Sequence, residues 1–292
     1  MNKNARIIRP TDRAAWLEAR KGGIGSSEVG TILGLNPFES PYQLWRRKRG
    51  MDAPKEETFA MRAGHYLEEA VSLFYRDETG REVIKRSAGD WLIVDTARPW
   101  MRVSPDRTFW LPGLPHSPRN KGILECKTTQ REVYADDVPQ HWYCQLQYQL
   151  GVAGMERGSL AWLVRGREFG WTDVELDAEF FSYLTAQVEE FWRKNVIGGE
   201  EPPAYTAADV LLKYPRSAEG KSVSADAQTE ALCRELAEVK AEAAAVDLHR
   251  REIEEQVKLA MGDAERLTSA ATGRTLATWR TAKDGTRRFV IK

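Results

Sequence analysis

The run Gly122-Ile123-Leu124-Glu125-Cys126-Lys127 reads as a strand. Side chains alternate along a strand, so Glu125 and Lys127 emerge on one face while Leu124 and Cys126 turn to the other, into a core. A sheet built on this strand carries a carboxylate beside an ammonium at the end of a buried element. That pair can hold a divalent cation and orient a water beside it. Taken alone it also fits an ordinary ion pair across a strand face, which is the commoner use of such a pattern.

The surrounding pattern supplies the rest of an α/β domain. Short β-branched or aromatic runs at 91–94, 100–104, 123–127, 160–165 and 169–176 are separated by turn residues and predict strands. A helix is predicted over 11–20, capped by Thr11 or Asp12. Another begins near Ser27, after the loop chemistry of Gly22-Gly23-Ile24-Gly25, and a third runs from Ser40-Pro41 to Gly50. Over 57–79 the positions Met61, Leu67, Val71, Phe74 and Tyr75 recur at helical spacing, and Gly80 is placed to end the turn. Further helices are expected over 139–150 and 179–195. The expected fold is a mixed central sheet flanked by helices over residues 1–200.

Residues 201–222, with Pro202-Pro203 and Pro215, read as a linker, and 223–292 as an extension. In that extension Leu232, Leu236, Val239, Ala243, Val246, Ile253, Val257 and Ala260 follow steps of four and three, broken at Arg250, as in a coiled-coil seam. Runs at 276–281 and 287–291 around Lys283-Asp284-Gly285 predict a β-hairpin.

Bulk properties exclude several classes. No apolar run approaches the roughly 18 residues that cross a bilayer, and no signal core follows the N-terminal residues, so the expected location is the cytoplasm. Cys126, Cys144 and Cys233 lack the spacing of a zinc or disulfide framework. Lys plus Arg and Asp plus Glu both total 43, which argues against indiscriminate nucleic-acid binding. The charge is nonetheless uneven: residues 1–49 hold ten basic side chains, Lys3 included, against four acidic ones, and residues 274–292 hold six against one. Two basic ends suit a polyanion, but most surface charge clusters are only solvated faces, and charge alone favours that plainer reading.

Upstream, Arg102-Val103-Ser104-Pro105-Asp106 places Ser104 and Asp106 on one face, and an Asp from one strand end beside a Glu from the next is a pair of hard oxygen ligands. Two carboxylates held close repel without a cation. Glu68, on the 57–79 helix, offers a third. Each has a plainer role too: Asp106 as a turn residue after Pro105, Glu68 as surface charge beside Glu69.

Taken together, Gly64-His65-Tyr66-Leu67-Glu68, Ser104-Pro105-Asp106, Glu125-Cys126-Lys127 and Gln145-Leu146-Gln147-Tyr148 are similar in order and spacing to the PD-(D/E)XK nucleases. Within these the chain resembles the lambda-exonuclease group of YqaJ-type phage recombination nucleases, most closely in Trp16-Leu17-Glu18-Ala19-Arg20-Lys21-Gly22-Gly23-Ile24-Gly25-Ser26-Ser27-Glu28-Val29. The resemblance covers about residues 10–195.

It implies a PD-(D/E)XK restriction-endonuclease-like core and a Mg2+-dependent deoxyribonuclease, with Mn2+ as a substitute and two ions in the site. Glu68, Asp106, Glu125 and the backbone carbonyl of Cys126 would be ligands, Lys127 would orient the attacking water, and Gln145 would help position it. Arg20, Ser27 and Ser104 match positions that grip a terminal 5′-phosphate; one guanidinium and two hydroxyls suit that group. Under this reading Arg46, Arg47, Lys48 and Arg49 track the DNA backbone. The implied partners are double-stranded DNA ends, further copies of the chain in a trimer, and a single-strand annealing protein. The long loop over 110–118 departs from the family pattern, as does the C-terminal extension. An internally cutting endonuclease and a non-catalytic DNA-end-binding phage protein are the alternatives.

Overall fold

A computed structural model describes residues 5–53, 57–84, 91–117 and 119–292, so Lys3 of the basic N-terminal count and Pro118 of the long loop lie outside the described residues. The chain divides into two compact units, the first ending at Arg216 and the second starting at Ser217.

In chain order the first unit opens with β1 (Ala5–Ile8), α1 (Arg13–Lys21), β2 (Ile24–Gly25), α2 (Ser26–Ile32), α3 (Pro41–Lys48) and α4 (Phe59–Thr79). It continues through β3 (Val83–Ile84), β4 (Leu92–Asp95), β5 (Met101–Val103), β6 (Arg107–Trp110), β7 (Lys121–Thr129), α5 (Gln140–Ala153), β8 (Arg157–Val164), β9 (Glu168–Glu175) and α6 (Ala178–Glu190). A π-helical turn over Phe191–Ile197 prolongs α6, and α7 (Ala207–Lys213) follows.

Local chemistry sets many of these boundaries. Asp12 caps α1 by accepting from the Ala15 N–H, Ser40 caps α3 with Pro41 in its first turn, and Thr58 caps α4. Gly80 ends α4 at φ +66°, a left-handed conformation that glycine takes without cost.

The nine-residue β7 is the middle strand of a five-stranded sheet in the order β3-β6-β7-β8-β9. It pairs parallel with β8, which α5 makes feasible as the crossover; the other pairings are antiparallel. Side-chain alternation then assigns the layers. Leu124 and Cys126 pack with Val71 and Tyr75 of α4, whereas Ile123 joins Leu146 and Leu150 of α5 in the larger core. The sheet is thus a middle layer between α4 and α5, and Glu125 and Lys127 share the α5 face with Ile123. A second sheet, β1-β4-β5-β2, carries α1 and α2. Gly23 lies so close to this sheet that a Cβ there would collide with the Trp100 carbonyl.

Residues 207–213 fold as a helix within the segment expected to be a linker. Thr206 and Asp209 form a capping box, and the buried Asp209 accepts from the Ser40 hydroxyl at 2.7 Å. The second unit holds α8 (Ala227–Met261) and the antiparallel sheet β10 (Arg266–Thr268), β11 (Thr275–Thr281), β12 (Arg287–Ile291). The expected hairpin is β11–β12, and β10 adds a third strand. Lys258 of α8 lies over the rings of Trp279 and Phe289, and Met261 is buried, while Leu232, Leu236, Val239 and Val246 of the seam are exposed.

Candidate active site

A cleft of about 520 Å³ opens between the two sheets of the first unit. Its lining includes Arg20, Ser27, Glu68, Ser104, Asp106, Lys127 and Gln145, together with Arg13, Trp16, Glu57, His65 and Arg102. Residues from α1, α2, α4, β7, α5 and the β5–β6 connection therefore converge on one space.

Behind the lining residues Lys127 and Gln145, Glu125 is 2% exposed and accepts from three side chains. The Lys127 ammonium donates to its Oε1 at 2.7 Å, the Gln145 amide donates to the same oxygen, and the Gln149 amide donates to Oε2 at 2.8 Å. Lys127 also donates to the Gln145 carbonyl oxygen at 2.9 Å. Burial disfavours the Lys127 ammonium, yet Glu125 and Asp106 outweigh it and hold its pKa above the ordinary lysine range. Asp106 accepts from the Cys126 N–H at 2.8 Å. Burial first, then the neighbouring charges of Glu125 and Glu68, push the Asp106 carboxyl well above the usual range. Burial likewise raises the Cys126 thiol, which is held neutral and is no nucleophile.

Among the described residues no three His, Cys, Asp or Glu side chains are drawn into a metal-binding group. The donor chemistry nevertheless fits a hard divalent cation: Asp106 faces two further carboxylates whose mutual repulsion a cation would relieve, and oxygen ligands are what Mg2+ and Mn2+ take. Glu68, Asp106, Glu125 and the Cys126 carbonyl are the residues that could hold it.

Near the mouth, Arg20 donates to the Ser27 hydroxyl at 3.4 Å, and Ser104 donates to the Trp91 carbonyl at 2.9 Å. Behind them lies Glu28, 4% exposed, which accepts from the Gly25 N–H at 2.8 Å and pairs with Lys48 at 2.7 Å and Arg47 at 3.0 Å. Burial alone would raise the Glu28 carboxyl, but Lys48, Arg47 and Arg20 bring it down to about 2.

The four residues Arg46, Arg47, Lys48 and Arg49, expected to track the DNA backbone, all have partners within the fold. Arg46 binds Asp52, Arg47 binds Glu39 and Glu28, Lys48 is buried against Glu28 and donates to the Gly23 carbonyl, and Arg49 donates to the Val196 carbonyl. The run fastens α3 into the fold. Sequence reasoning assigned no role to Glu28 or Gln149. Gln149 was findable, since it lies four residues after Gln145 on the same helix face; Glu28 stood inside the quoted N-terminal motif.

Residues 15–156 match the YqaJ-like viral recombinase domain, and this part of the chain is a domain of that kind, as the resemblance implied. The chain is 29% identical over 265 residues to the uncharacterized protein YqaJ of Bacillus subtilis (strain 168), covering 87% of this chain and 79% of that protein. Among solved structures, an alkaline exonuclease from Laribacter hongkongensis aligns over 62% of this chain and 91% of its own at 18% identity and a TM-score of 0.49. A phage-related exonuclease from Haemophilus somnus 129PT aligns over 61% and 96% at 10% identity and 0.44.

Proposed function

We propose that this chain is a divalent-metal-dependent deoxyribonuclease that degrades linear double-stranded DNA from 5′-phosphorylated ends, in the 5′-to-3′ direction. The observation that carries the reading is one cleft holding both a buried carboxylate–lysine centre and, at its mouth, a guanidinium with two hydroxyls. The first suits hydrolysis of a phosphodiester and the second suits a terminal phosphate.

In this reading Glu68, Asp106, Glu125 and the Cys126 carbonyl hold two Mg2+ ions. Bound there, divalent cations supply the Lewis acidity that eases deprotonation of water and offsets charge on the leaving oxygen. Lys127, already hydrogen-bonded to Glu125 and Gln145, donates toward the attacking water and the phosphoryl oxygen on which charge develops. Gln145 fixes both partners of that pair. Arg20, Ser27 and Ser104 hold the 5′-phosphate, which places the next phosphodiester at the floor of the cleft. Assembly as a trimer around DNA and delivery of single strands to an annealing protein belong to the same reading.

A second reading, in which Glu125–Lys127 is a structural ion pair in a DNA-end-binding protein, draws on the three donors that already surround Glu125. One assay separates them. Linear duplex with and without 5′-phosphate and closed circular DNA are incubated with Mg2+ or chelator, using wild type, Asp106→Ala and Lys127→Ala. Loss of phosphorylated linear DNA, blocked by chelator and slowed at least about a hundredfold in both variants, is expected. Intact linear DNA in Mg2+ refutes the nuclease, and nicked circles would make it an endonuclease.

A further inference from the structure

The apolar seam of α8 meets two different surroundings. Its last turns pack on the sheet of the same unit, where Met261 is buried, Val257 is half-buried and Lys258 lies over Trp279 and Phe289. Upstream the seam faces solvent: Leu232 is 57%, Leu236 60%, Val239 52%, Val246 69% and Ile253 49% exposed. Steps of four and three leave gaps between these side chains in which a second helix seats its own.

The polar residues in and beside the stripe decide which helix fits. A second copy of α8 running parallel sets Arg250, which interrupts the seam, against its own counterpart, and Glu242 against Asp247. Running antiparallel, one register matches every seam position: Leu232 meets Val257, Leu236 meets Ile253, Val239 meets Arg250 and Ala243 meets Val246, each twice about a two-fold axis. At the flanks of that register Lys240 of one copy faces Asp247 of the other, Glu242 faces His249, and Glu235 faces Gln256. No like charges meet there. Sliding by one heptad either way sets Lys240 or Asp247 against its own counterpart. Within one helix Arg250 binds Asp247 and Glu254, and Arg251 binds Asp247. The Arg250 stem can therefore cover Val239 of the other copy with its charge already matched, and Lys240 joins an existing ion-pair cluster.

We propose that the extension is a self-association module: α8 pairs antiparallel with α8 of a second copy, in the register that sets Lys240 against Asp247, and so covers the stripe from Leu232 to Ile253. The apolar layers supply affinity and the flanking charges fix orientation and register. The pairing uses residues of the second unit alone and does not depend on the activity of the first.

Cys233, on α8, is exposed, whereas Cys126 and Cys144 are buried, so a thiol-reactive spin label on the full chain reports Cys233. In the antiparallel register each Cys233 lies level with Glu254 of the other copy. Pulsed dipolar spectroscopy is therefore expected to find labels roughly 30–35 Å apart, from the rise of about 1.5 Å per residue. A parallel pair would bring them to about 10–20 Å, the spacing of packed helices plus the label arms, and would overturn the proposal. Val246→Glu, at an exposed position and with a residue that keeps helix propensity, removes the distance. Lys240→Glu, which puts like charge against Asp247 at two places, raises the protein concentration needed for pairing at least about fivefold. An unchanged requirement in Lys240→Glu overturns the register. Absence of any distance between copies overturns the pairing, as does a distance that survives in Val246→Glu and so arises from contacts of the first unit.

Discussion

Glu28→Gln should be the most costly single isosteric change behind the cleft. Glu28 is buried, accepts from Gly25, and neutralises Lys48, whose side chain is only 4% exposed. The gap between its ordinary value of 4.5 and the value of about 2 in the fold corresponds to roughly 3 kcal/mol of stability. Breaking a buried pair from one side costs about 3–5 kcal/mol. Lys48 also donates to the Gly23 carbonyl, so its ammonium keeps a polar partner when Glu28 is lost, and the lower end applies. About 3 kcal/mol is therefore expected at pH 7.

The sign with pH follows from the depressed carboxyl. The stabilisation is complete above about pH 5 and is lost as pH falls toward 2; at pH 3 about 2 kcal/mol of it has gone. The glutamine that replaces Glu28 cannot titrate, so the stability gap between wild type and variant, measured by urea unfolding, should shrink from about 3 kcal/mol at pH 7 to about 1 at pH 3. Replacing both partners, Glu28→Gln with Lys48→Met, should recover more than half of the loss, because no buried charge is then left unpaired. A gap under about 1 kcal/mol at pH 7, or one that does not change with pH, would refute the reasoning.

Two further outcomes concern DNA. Arg20→Ala should slow digestion of 5′-phosphorylated ends about tenfold or more while changing 5′-hydroxyl ends much less, as read by parallel time courses; equal losses would make Arg20 a general contact. A chain ending near Gly220 should keep metal-dependent cleavage of short DNA but digest long DNA less processively and with a shallower salt dependence, because the basic residues Arg280, Arg287 and Arg288 are gone; equal processivity and equal salt slopes would remove the extension from DNA handling.

Features written into neighbouring residues were legible in the sequence. Glu125 and Lys127 share a face because strands alternate, and α4 ends at Gly80 because its turn needs a left-handed residue. The capping box of α7, Thr206 with Asp209, was also written locally, but the prolines around it suggested a linker. Short strands such as Ala5–Ile8 and Arg107–Trp110 carry arginines and only a few residues, too little for a periodic signal. Lys48 was unreadable for a different reason. A lysine between arginines resembles a phosphate-tracking run until its partner is known, and Glu28 stands twenty positions earlier on another helix. Pairings set by tertiary packing leave no mark at either position alone.

The placement of β7 has a consequence for how the molecule breathes. Glu125 and Lys127 sit on a strand hydrogen-bonded on both sides and roofed by helices, the kind of segment that exchanges its amides only on global opening. Ser27 follows the two-residue β2, at one edge of the other sheet, where sub-global opening is cheaper. Under the proposed function, fluctuations that loosen the hold on a DNA end would leave the carboxylate–lysine centre assembled, and the molecule could release and regrip its substrate without rebuilding that centre.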